Sequence, residues 1–159
     1  MSKSANKRER GPALPAGPAG TGVSSPASPG AALLRQGWIS LALWIAFGIL
    51  LEGFNAFRSP AYLDDATRRD LFRLAHAHGT LLNMVLLVAA ICARLGLIRL
   101  NRMASLGLQS AVVLLPAGFF FAGLFRIRDE PGVAILLVPV GAVLLLVSAI
   151  YISLTLPKR

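Results

Sequence analysis

The chain has 159 residues, 55% of them hydrophobic, with a mean hydropathy of +0.67, which is too apolar for a soluble domain of this length. Sixteen Lys and Arg against seven Asp and Glu give a net charge of +9. The basic residues sit in short clusters between apolar runs, the pattern that orients membrane proteins, so the composition points to a lipid bilayer and away from nucleic acid.

Residues 1–34 are rich in Pro, Gly, Ala and Ser, with Lys3, Lys7, Arg8 and Arg10 near the start. They show neither helical nor strand period and too little apolar surface to repay ordering, which predicts a disordered basic tail. The polar stretch before the first apolar run is too long for a cleaved signal peptide. Residues 35–159 are then expected to form one transmembrane domain of four helices.

The first span is predicted at 38–57, twenty residues matching a hydrocarbon core of about 30 Å. Trp38 would mark one interface, and Asn55 with Arg58 the other. Glu52 is an acid one to two turns inside the far end, on a face shared with Leu41, Ile45, Gly48 and Ala56. Gly48 would let a neighbouring helix approach there. Residues 58–70 form a polar connection in which Ser59-Pro60 breaks the helix.

The second helix is expected to start between Asp64 and Arg68, with Asp64 or Asp65 as N-cap. It would lie partly in the interface, span the membrane over about 72–95 and end near Gly96. At about 100° per residue, Arg69, Arg73, His76, Thr80 and Asn83 form one polar stripe, opposite Leu74, Ala77, Leu81, Val85 and Val88. His78 lies about 200° from His76, so the two are not a chelating pair on a helix. Cys92, the single cysteine, lies deep in the apolar run and reads as a small buried hydrophobe.

The third span, 103–125, carries Ser105, Gln109, Pro116 and Gly123 on a face that should look into the bundle, with Pro116 as a kink and Phe119–Phe121 as lipid contact and packing. The fourth is predicted at 132–156. Asp129 or Glu130 would cap it, Pro131 would occupy its first position, Pro139 would kink it, and Gly141 and Ser148 share a face. Gln109 and Ser148 are expected to make interhelical hydrogen bonds.

Four spans place both termini on one side. Ten basic residues fall on that side against six on the other, which predicts cytoplasmic termini and a multi-pass protein of the plasma (inner) membrane. Glu52, Asn55, Arg58, His76, Thr80 and Asn83 then lie at the outer end of the first two helices. Carboxylate, imidazole and amide at one depth could hold a divalent metal, ligate haem through His76 or hand protons inward. The structural alternative is that Glu52 pairs with Arg58, Arg69 or Arg73, and that Asp65 and Glu52 hold Arg69 and Arg73. Those two arginines together could also grip a lipid phosphate. The phrase RLAHAHGTLLN resembles the histidine-bearing helices of haem-binding oxidase-type membrane proteins, without the other ligand histidines those families need, so the likeness is local.

No GxSxG, HExxH, CxxCH or phosphate-cradling glycine loop occurs, and no nucleophile stands beside a base. The expectation is an all-α integral membrane four-helix bundle that is not an enzyme, acting as an accessory or assembly subunit with a membrane-protein partner or as a homo-oligomer. The alternatives are a haem or metal protein centred on Glu52 and His76, with no dedicated metal cluster, and a small proton-linked transporter using Glu52. The polar intramembrane stripe is taken as Arg69, Arg73, His76, Thr80, Asn83, Asn55 and Gln109.

Overall fold

The structure is a computed structural model that describes residues 29–126 and 130–156. The helices are α1 (Pro29–Ala56), a short α2 (Pro60–Leu63), α3 (Ala66–Arg94), α4 (Arg102–Leu124) and α5 (Leu137–Thr155), with a 3-10 turn at Val133–Leu136 leading into α5. Four segments, Gly30–Ala56, Ala66–Arg94, Arg102–Leu124 and Val133–Thr155, are long and apolar enough to cross a membrane. The chain therefore has the all-α, four-helix membrane architecture that its apolar runs predict.

The helix boundaries follow local chemistry. Asp65 is the N-cap of α3, its side chain accepting from the Arg68 backbone N–H at 2.9 Å. The same carboxylate pairs with the Arg68 and Arg126 side chains, tying the start of α3 to the end of α4. Asn101 caps α4 through Ala104 N–H at 2.7 Å. After α3, Gly96 takes φ +72°, the left-handed conformation that closes a helix. The connection after α1 is less irregular than its polar sequence suggests, because Pro60 opens the one-turn α2.

Two boundaries differ from expectation. Helix α1 begins at Pro29 rather than at 38, so residues 29–34 are helical and not part of a disordered tail. Tertiary contact is the reason: Leu33 is 0% exposed in a core with Leu82, Leu86, Ala90, Leu108, Val112 and Leu115. Trp38 consequently sits within the helix instead of at its start. Residues 1–28 lie outside the described residues. At the other boundary, Pro131 does not open a helix and the exposed Glu130 does not cap one; Asp129 lies outside the described residues. Gly132 N–H donates to the Ala122 carbonyl at 2.9 Å, holding the chain against the end of α4 before the 3-10 turn begins. Pro139 is the third residue of α5, close to the junction with the preceding 3-10 turn.

Sequential helices pack antiparallel. Helix α3 contacts both α1 and α4, α5 rests on α4, and among the described residues α1 and α5 do not touch. The bundle is thus open. The span window of α5 is only 11% buried, against 39% for α3 and 44% for α4. Its seat on α4 is made of small residues: Gly141 lies on Leu115, Gly118 under Val138, and Gly107 beside the buried Ser148. Ser148 donates within its own helix to Leu144 O at 2.8 Å, where an interhelical bond was expected.

Candidate functional site: a polar cleft between α1 and α3

The α1–α3 seam is built on glycines. Along α1, Gly30, Gly37 and Gly48 face Arg94, Leu87 and His76 in turn, which is an antiparallel register. At the far end from the described termini the packing is reciprocal. The His76 ring lies over Gly48, and the Trp44 ring lies over Gly79; neither glycine has room for a Cβ. Each helix inserts one ring into a gap left by the other.

This contact sets the chemistry of His76. Its Nδ1 is 2.8 Å from the Trp44 carbonyl oxygen, and a carbonyl only accepts, so Nδ1 carries the proton and donates. In the neutral ring Nε2 is then the acceptor. Sequence gave no sign of Trp44 in this role, because a backbone carbonyl has no sequence signature.

Above that contact the helices part, leaving a cleft of about 620 Å³. Glu52, Asn55, Arg69, Arg73, His76 and Thr80 line it, with Ile45, Gly48, Ile49 and Leu51 as its apolar wall. Five of the seven stripe residues predicted from sequence therefore share one cavity, and Glu52 and His76 converge on it. Tyr62 of α2, which periodicity could not identify, also lines the cleft from a buried position.

The ionic pairing differs from expectation. Neither the Glu52 carboxylate nor the Arg73 guanidinium makes an ion pair or a hydrogen bond with a described residue. Arg69 is held by a backbone group, Nη1 donating to Leu63 O at 2.9 Å, and Asp65 is committed to Arg68 and Arg126. Thr80 Oγ1 donates to His76 O at 2.9 Å and is turned toward its own helix. The charged groups of the cleft are thus exposed to whatever enters it.

Two stripe residues lie elsewhere. Asn83 is 0% exposed, with Nδ2 donating to Gly79 O at 2.7 Å and Oδ1 accepting no hydrogen bond. It stands at the edge of the stripe, where a small rotation carries it into the bundle interior. Gln109 belongs to the opposite end: its backbone carbonyl accepts from Gln36 Nε2 at 3.1 Å. His78 does turn away from the cleft, its Nδ1 on Leu74 O at 2.9 Å and its ring 5.0 Å from that of Phe119.

Phe120, half-buried, packs as expected: it stacks on Phe72 at 5.6 Å and meets Trp44, Phe47 and Phe121 edge-on. This aromatic cluster braces α1 against α4 beneath the cleft. Among the described residues no group of three or more His, Cys, Asp or Glu could hold a metal ion, and Glu52 and His76 are the only two of these types lining the cleft. No protein-family model, curated protein or solved structure matches this chain.

Proposed function

We propose that this membrane protein is a non-enzymatic accessory or assembly subunit whose α1–α3 cleft is completed by a bound molecule. The observation that supports this is that Glu52 and Arg73 line the cleft with no ion-pair or hydrogen-bond partner among the described residues, leaving both charges open to a bound molecule. A second surface suits a partner helix. Between α3 and α5 runs an apolar groove of about 470 Å³, lined by residues such as Val85, Val88 and Ile152.

The test is purification in mild detergent from native membranes. A stoichiometric membrane-protein partner, weakened by Val88→Trp in the groove, is the expected result. A monomer with no co-purifying protein overturns the accessory role.

A haem reading is favoured by one observation. A ligating histidine commonly donates its other ring N–H to a carbonyl, as His76 does to Trp44. A Soret band lost in His76→Ala would put this reading first, and colourless wild-type protein from haem-sufficient cells would remove it.

A further inference from the structure

We infer that the cleft seats the headgroup of a zwitterionic aminophospholipid, its phosphate on Arg69 and Arg73 and its ammonium on Glu52. This rests on the reading that a bound molecule completes the cleft, and it names that molecule.

Depth is the first argument. The 28 residues of α1 extend about 42 Å at ~1.5 Å each, the thickness of a bilayer with its headgroups. Glu52, four residues before the end of α1, falls about 6 Å inside that limit, near the phosphate and glycerol level. Ile45 and Ile49 line the same cleft one to two turns deeper. The cleft therefore passes from charged to apolar in the direction that a lipid does.

Charge is the second. Arg69 and Arg73 are one helical turn apart and line one wall, and a guanidinium offers five N–H donors, of which Arg69 spends one on Leu63 O. A phosphodiester suits this pair. Glu52 opposes a purely anionic headgroup and favours one that also carries a cation. Three acceptors line the cleft: the Glu52 carboxylate, the Asn55 amide oxygen and His76 Nε2. A primary ammonium has three N–H donors to offer them, whereas a trimethylammonium has none. The arrangement selects an ethanolamine-type headgroup over choline and glycerol headgroups.

The experiment is native mass spectrometry of the full chain released from nanodiscs holding equal phosphatidylethanolamine, phosphatidylcholine and phosphatidylglycerol. Wild-type protein should retain phosphatidylethanolamine about tenfold over the other two, the scale of one charge-assisted hydrogen bond. Glu52→Gln should erase that preference while phospholipid is still retained, and Arg69→Gln with Arg73→Gln should lose all three lipids. Helical circular dichroism of each variant separates loss of binding from loss of fold. Equal retention of the three lipids by wild type, or a preference unchanged in Glu52→Gln, overturns the inference. So does full displacement by soluble glycerophosphoethanolamine, which would make the ligand a free metabolite. Retained ethanolamine lipid on a protein without a partner leaves the inference standing and removes only the accessory role. A partner that co-purifies without lipid does the reverse.

Discussion

At the scale of single residues, the decisive feature is the absence of side chains at Gly48 and Gly79. A Cβ at Gly48 or Gly79 would collide with the His76 or Trp44 ring, whereas one at Gly53 meets nothing within 4 Å. Gly48→Ala and Gly79→Ala should each destabilise the protein by about 1–3 kcal/mol, because overpacking outweighs the gain in helix propensity of about 1 kcal/mol. Gly53→Ala should instead stabilise by up to about 1 kcal/mol. Unfolding midpoints in detergent check the contrast, and equal effects at all three positions would contradict the seam. Asn83 supplies a second prediction at this scale. Its buried Oδ1 accepts no hydrogen bond, and leaving such an atom unmade costs about 1–3 kcal/mol. Asn83→Leu should therefore leave the midpoint unchanged or raise it, and a clear fall would refute this account.

At the scale of elements, the start of α3 is a junction. The Asp65 carboxylate caps the helix and also pairs with Arg68 and Arg126, fixing the base of the α3 wall of the cleft. Asp65→Asn keeps the capping oxygen and gives up only the charge, a loss of about 1 kcal/mol or less for a partly exposed pair. Asp65→Ala loses both and should cost about 1–2 kcal/mol more than the Asn variant. If hydrogen exchange shows no added fraying at 66–70 in the Ala variant, the cap is not what starts the helix. The fourth helix teaches the complementary point. Pro131 is a standard start signal, yet the chain there is set by the Gly132 N–H on Ala122 O, a contact across two elements.

At the scale of the whole molecule, alternating antiparallel helices put residues 57–65 and 130–132 at one end and 95–101 at the other. With Cys92 replaced by Ser, cysteines at Asp64 and Glu130 should react with an impermeant maleimide from the same side of a sealed vesicle, and one at Arg99 from the opposite side. Reaction of all three from one side would refute the four-span arrangement. The excess of basic residues near the termini favours a cytoplasmic face for Arg99, which the same labelling reads in intact cells.

The sequence by itself determined the object: four apolar runs of membrane length, a cap at Asp64 or Asp65, the Gly96 stop and a one-sided polar stripe from Arg69 to Thr80. These are local or periodic properties, carried by residues close together in the chain. Only the tertiary structure decided which groups meet. Helix rotation and register bring Glu52 and Asn55 opposite His76 and turn Asn83 inward. Burial against α3 and α4 extends α1 back to Pro29, over residues whose composition reads as tail. Ring-on-glycine packing between α1 and α3 sets the His76 proton, and it was not legible beforehand because that contact depends on shape complementarity across distant segments and leaves no periodic trace in either helix alone.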